Sequence, residues 1–429
     1  MLQLLIRQAT LIDQATPVDI GCSEGRIVEV SARIEGEAEQ EIDASGRLVT
    51  TPFVDSHFHM DSTLSYGRPR VNQSGTLLEG IALWSDLKPQ LDAEDIKSRA
   101  HALCRWAVAR GNLAIRSHVD ICDPELTAVR ALLEVREELR PDLDLQLVAF
   151  PQDGYFRHPE AVNLLPKALD LGVDVVGGIP HFERTMAEGT RSVSALCEIA
   201  EKRGLMVDMH CDESDDPSSR HIETLVAETQ RLGMGGRVAG SHLTSMHSMD
   251  NYYAGKLISL MAESEVHAVA NPLINITLQG RSDSYPKRRG MTRVKEMMEQ
   301  GINVAFGHDC VLDPWYALGS HDMLEVASMG LHVAQMTGIS EMHAAFRAVT
   351  INAARVMGLP DYGLAPGCNA DMVVLQAGDP VEALRLKANR LFVIRRGRII
   401  AESAPHETRV HMMGVESTVN FTSGEFNVR

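Results

Sequence analysis

The 429-residue chain is predicted to be an α/β protein, a (β/α)8 TIM barrel carrying a small β-sandwich built from both chain ends. Three observations predict this. Eight apolar, partly β-branched runs alternate with longer amphipathic stretches, the pattern of repeated βα units on a parallel sheet. β-rich segments of similar character occur at the two ends of the chain. Nearly every central run closes on a histidine, carboxylate or amide, and in a parallel barrel such residues converge at the mouth that carries the chemistry.

Residues 1–50 read as short strands over 2–6, 19–22 and 26–30, joined by Gly-containing turns and ending in the turn Asp43-Ala44-Ser45-Gly46-Arg47. The segment is too small to stand alone. Its complement is residues 366–429, with strands expected over 370–375, 391–394 and 398–400 and a C-terminal tail. Between them, residues 51–365 form the barrel. Its strands are expected within 49–59, 113–120, 144–152, 173–181, 205–213, 237–244, 266–275 and 302–309. Helical patterns fill the gaps, one of them closed by Gly301 just before the last run.

Composition is that of an ordinary globular protein, and it excludes some partners. A formal net charge of -17 argues against nucleic acid, because phosphate binding requires a basic surface. The cluster Lys287-Arg288-Arg289 is too short to reverse this and reads as a solvated or subunit-contacting loop. Seven cysteines, odd in number and without C-x-x-C spacing, suggest neither a disulfide framework nor a zinc ribbon. The first residues alternate like a strand, and no run of about 18 apolar residues is present to span a bilayer. A cytoplasmic enzyme without a membrane partner is expected, and a closed homo-oligomer suits its size.

The chemistry starts at Thr51-Pro52-Phe53-Val54-Asp55-Ser56-His57-Phe58-His59. On a strand, imidazoles at i and i+2 share one face, where they can share a metal ion. A His-x-His pair alone is common by chance, so the other strand ends decide. They carry His118 and Asp120, Gln152, His181, His210 and Glu213, His242, Asn271 and Asn275, and His308 and Asp309. His57, His59, His210 and Asp309 would complete a shell for zinc or ferrous iron and leave a position open for water. Such an ion lowers the pKa of its water from about 16 toward about 7, which is hydrolase chemistry.

Phe53-Val54-Asp55-Ser56-His57-Phe58-His59, His210-Cys211-Asp212-Glu213, Ser241-His242-Leu243-Thr244 and Gly307-His308-Asp309 resemble the motifs of the amidohydrolase superfamily. Asn72-Gln73-Ser74-Gly75-Thr76-Leu77, Ala149-Phe150-Pro151-Gln152, Tyr285-Pro286-Lys287-Arg288-Arg289-Gly290 and Asp313-Pro314-Trp315-Tyr316 resemble its bacterial cytosine deaminase branch. The resemblance spans almost the whole chain. It implies one divalent ion, Fe(2+) or Zn(2+), on His57, His59, His210 and Asp309. Pro180-His181 stands where binuclear relatives carry a bridging lysine, which disfavours their chemistry. Glu213 is implied as the proton shuttle to the ring nitrogen and departing ammonia, with His242 and Asp309 taking the proton of water. Leu77, Gln152, Cys310 and Trp315 are the implied contacts to a free pyrimidine base. His118, Asp120, His181 and His308 are left in supporting positions.

One position departs from the branch. Its metal-binding aspartate is followed by a second acid, whereas here Asp309 is followed by Cys310. A charged carboxylate at the ring's C5 edge would reject an apolar substituent, while a thiol behaves as a small hydrophobe. The expectation is deamination of 5-methylcytosine to thymine, alongside or in preference to cytosine to uracil; a neutral exchange that leaves cytosine as the substrate is the alternative. Other cyclic amidine-like rings, such as isoguanine, a creatinine-like ring or a triazine, form the second reading. A catalytically silent barrel is disfavoured by the full ligand set together with Glu213.

Overall fold

The computed structural model describes residues 1–14 and 16–422; the last residues of the expected tail, 423–429, lie outside the described residues. Eight parallel strands follow one another around a barrel: Phe53–Phe58, Asn112–Asp120, Asp144–Phe150, Val175–Gly178, Met206–Cys211, Val238–His242, His267–Ala270 and Val304–Phe306. Each falls on a predicted run, the second beginning one residue earlier at Asn112, and helices cover the outside. The barrel closes where Phe58 bridges Asp309: His59 N donates to Asp309 O at 3.1 Å and Asp309 N to His57 O at 2.8 Å.

Two runs are divided more finely than their apolar pattern suggested. The first yields Leu48–Thr50, which belongs to an end sheet, and Phe53–Phe58, which belongs to the barrel. Pro52 separates them, since it has no N–H for a ladder, and Tyr362 Oη donates to Pro52 O at 2.6 Å. The seventh run holds the strand His267–Ala270 and then the helix Pro272–Leu278, begun by a proline at its first position.

The chain ends meet as two four-stranded sheets. One runs in the order Arg26–Ser31, Val18–Ser23, Leu2–Ala9, Ala38–Asp43; the other runs Arg398–Glu402, Arg390–Arg395, Met372–Leu375, Leu48–Thr50. Leu4, Ile6, Ile20 and Ile42 of the first pack in one core with Val49, Met372, Val374 and Ile394 of the second. The strand Ala38–Asp43 was not expected, because its first four residues, Ala-Glu-Gln-Glu, show no alternation of apolar and polar side chains.

Inside the barrel, alternation along the strands stacks layers of different chemistry. Val54, Ala114, Ala239, Val269 and Ala305 form an apolar cluster with the helix Ile351–Met357. Two residues beyond Ala114, Arg116 forms a wholly buried ion pair at 2.9 Å with Asp208 of the strand Met206–Cys211. Arg116 also donates to Gln146 Oε1 and Val356 O. Another two residues on, His118 and His210 reach the layer of imidazoles.

Candidate active site

Four predicted metal donors converge on one point. His57 and His59 leave the same strand, and their Nε2 atoms lie 3.6 and 3.5 Å from Asp309 Oδ1. The Nε2 atoms of His59 and His210 are 3.0 Å apart. Burial, reinforced by the neighbouring imidazoles, holds the pKa of His57, His59 and His210 well below the usual histidine value. Neutral imidazole is the ligand form. Both ring nitrogens of His57 are buried without a hydrogen-bond partner among the described residues. Burial, then the nearby Glu213 and Asp313, push the Asp309 carboxyl well above its usual range. Three neutral nitrogens with lone pairs and one carboxyl lacking a compensating cation are a donor set that fits one divalent metal ion.

Backbone strain marks two of these positions. Asp309 and His242 adopt left-handed φ values of 67° and 70°, sparse for residues with a Cβ and characteristic of functional strand ends. Gly307 permits the approach of the eighth strand, because a Cβ there would sit 2.5 Å from Asn271 Oδ1 and 2.7 Å from His57 Cβ.

Beside these four residues lies the predicted acid-base group. His242 stands between two carboxyls, with Nδ1 3.5 Å from Glu213 Oε1 and Nε2 3.7 Å from Asp309 Oδ2. Asn275 Nδ2 lies 3.0 Å from His242 Nδ1 and steadies the ring. Burial alone raises the Glu213 carboxyl to about 8, so it carries a proton at neutral pH. Its loop is fixed by Asp212, whose carboxylate accepts from the N–H groups of His221 and Ile222 at 3.0 and 2.9 Å and from Ser219 Oγ at 2.7 Å.

One cavity brings the remaining predicted residues together. His59, Leu77, Gln152, His210, Glu213, His242, Asp309, Cys310 and Trp315 all line it, with His57 buried against them. Leu77 is placed by the helix Leu77–Leu87, which Thr76 caps by accepting from Glu79 N at 3.2 Å. Trp315 is placed by Asp313, whose Oδ1 accepts from the N–H groups of Trp315 and Tyr316, both at 2.9 Å. Cys310 Sγ lies 3.7 Å from Asp309 Oδ1, and burial keeps its thiol protonated.

The supporting residues also find definite places. His118 packs on His57 with ring centroids 4.2 Å apart, nearer the donors than the sequence indicated. Its Nε2 is 3.5 Å from Asp208, which pairs with Arg116 and accepts from Ser241 Oγ. Asp120 accepts from Trp84 Nε1 and lies 2.8 Å from Lys88 Nζ, away from the donors. His181 Nδ1 contacts His210 O at 3.0 Å, and His308 Nδ1 contacts Cys310 O at 3.0 Å. The apolar wall of Ile179, Ile274 and Leu278 was not foreseen: the first two lie inside runs read as strand, and Leu278 ends the helix that follows the seventh strand. A larger cleft, lined by Val54, Gln146, Tyr362 and Arg395, contains none of the predicted site residues.

Residues 40–418 match the model of the amidohydrolase family. The chain belongs to that family. This amidohydrolase is therefore a hydrolase, and its structure superposes on the cytosine deaminase branch. The 5-methylcytosine deaminase of Klebsiella pneumoniae, solved with phosphonocytosine, aligns with a TM-score of 0.91 and 42% identity over 94% of this chain and 99% of that one. The N-isopropylammelide isopropyl amidohydrolase of Pseudomonas sp. (strain ADP) is 32% identical over 406 residues, covering 93% of this amidohydrolase and 97% of the relative. The pterin deaminase of Rhizobium rhizogenes is 29% identical over 393 residues, covering 90% and 88%. No helix among the described residues of the amidohydrolase is long and apolar enough to cross a membrane.

Proposed function

We propose that this amidohydrolase deaminates a free pyrimidine base at C4, converting 5-methylcytosine to thymine and cytosine to uracil with release of ammonia. The observation that carries the reading is the single cavity in which a protonated carboxyl, a set of neutral imidazole donors, a primary amide and a thiol face one another. The 42% identity with the Klebsiella pneumoniae 5-methylcytosine deaminase supports it.

One divalent ion, iron or zinc, held by His57, His59, His210 and Asp309 would supply Lewis-acid activation of the attacking water. The chain's own residues move the protons. Glu213 donates to ring N3, which makes C4 electrophilic, and water adds its oxygen there. One proton of that water passes through Glu213 to the amino group, which departs as ammonia. The other is taken by Asp309 beside His242 and restores the Glu213 carboxyl. Gln152, with a donor and an acceptor on one amide, reads the carbonyl and nitrogen edge of the ring. Leu77 and Trp315 pack its faces, and Cys310 accepts a methyl at C5 where a carboxylate would refuse it.

Ile179, Ile274 and Leu278 favour a second reading, hydrolysis of an alkylamino-substituted triazine, since an apolar wall would shelter a leaving alkylamine. The relative from Pseudomonas is named for such a substrate. The test is the reaction in 18O-labelled water, with products weighed by mass spectrometry. Thymine or uracil bearing one 18O, with ammonia, is the expected result. Isopropylamine from N-isopropylammelide with no turnover of either cytosine would replace the first reading by the second.

A further inference from the structure

The joint between the eighth and first barrel strands is the one that carries His57, His59 and Asp309. It is also sparse, because the eighth strand spans only Val304–Phe306 and meets the first at the single bridge Phe58–Asp309. Asp55 lies across this joint, wholly buried and outside the cavity. Its Oδ1 accepts from the backbone N–H of His57 and from that of His308, both at 3.1 Å. Its Oδ2 lies 3.0 Å from Nε2 of His321, another fully buried residue. His321 is held in turn: Asn112 Nδ2 lies 3.2 Å from its Nδ1, Phe58 packs edge-on at 4.7 Å, and His308 stacks at 5.5 Å with an interplanar angle of 14°.

We infer that Asp55 and His321 form a positioning pair that holds the two metal-binding strands in register and so sets how tightly the divalent ion is bound. The carboxylate adds one hydrogen bond across the joint, from His308 N, to the two backbone bonds beside the Phe58–Asp309 bridge, and a second within the first strand. The second fixes His57 itself, and the first fixes the residue before Asp309. His321 closes over the carboxylate, its Nε2 3.0 Å from Oδ2 but outside hydrogen-bond geometry. Partners that orient ligands without touching the metal typically contribute about 10- to 100-fold in metal affinity. The inference rests on the proposed donor set.

Its test is competition of Zn2+ between a chromogenic chelator and the full-length apo-protein, for the parent, Asp55→Asn, His321→Gln and His57→Asn. Asp55→Asn keeps the size and one acceptor oxygen, so it is the variant expected to fold. The expected result is a Kd about 10-fold or more weaker for Asp55→Asn and His321→Gln, with a changed visible spectrum of the Co2+ form. A Kd within twofold of the parent in both variants, with the parent binding one ion and His57→Asn binding none, overturns the positioning role and leaves the donor set standing. A parent that binds no divalent ion overturns both.

Discussion

Glu213 is where one side chain decides turnover. Its carboxyl is raised to about 8 by burial. Glu213→Gln keeps the shape and removes the proton, so it is expected to bind metal at the parent's stoichiometry while kcat falls by about 10²- to 10⁴-fold. Activity within tenfold of the parent would remove Glu213 from proton transfer. The same carboxyl gives a pH dependence whose sign is fixed: the required form is protonated, so kcat/KM should decline as pH rises through about 8. At Cys310 the prediction concerns choice. Cys310→Asp places a carboxylate beside Asp309 and Asp313 and is expected to shift preference toward unsubstituted cytosine by about 10- to 200-fold, the value of a methyl-sized pocket. An unchanged ratio would acquit the thiol. The polar lining of the cavity was legible because histidines and carboxyls recur at strand ends; Ile179, Ile274 and Leu278 were not, since one apolar residue looks like another in a sequence.

Among elements, the helix Leu77–Leu87 does two jobs at once. Thr76 caps it so that Leu77 enters the cavity, and Gly80 leaves room behind it for Trp315: a Cβ there would lie 2.2 Å from Trp315 Cδ1. Gly80→Ala should therefore displace the indole, raise KM more than it lowers kcat, and cost about 1–3 kcal/mol of stability by overpacking. Parent-like KM and thermal unfolding would show that the indole yields freely. The apolar runs announced the barrel strands, but period and hydrophobicity could not say that Pro52 divides the first run between two sheets. Nor could they show that Asn271 and Asn275 belong to a loop and a helix beside His242 rather than to a strand. Contacts across sheets decide such points.

For the whole molecule, the barrel and its appended sheets stand on a chain whose ends meet. Arg395 ties an end sheet to the barrel: it reaches Asp371 and, on a barrel strand, Asp144, both at 2.8 Å. The pairing of the ends was readable from their common β-rich character, whereas the ion pairs were not, because single charges 251 residues apart carry no pattern. If the ends form one unit with the barrel, removing residues 1–50 strips Leu4, Ile6, Ile20 and Val49 from Met372, Val374 and Ile394. The truncated chain is then expected to be insoluble or molten by near-UV circular dichroism; a cooperative unfolding transition like the parent's would contradict this. Metal removal should act globally as well, since an ion that binds only the folded chain adds about 4 kcal/mol at a thousandfold excess over Kd. The most direct measurement is ammonia release by the metal-loaded enzyme, giving kcat/KM for 5-methylcytosine and for cytosine under one set of conditions. Turnover of both, with a ratio well above one, is the predicted result. Turnover of neither would contradict the assignment of the site to a free pyrimidine base.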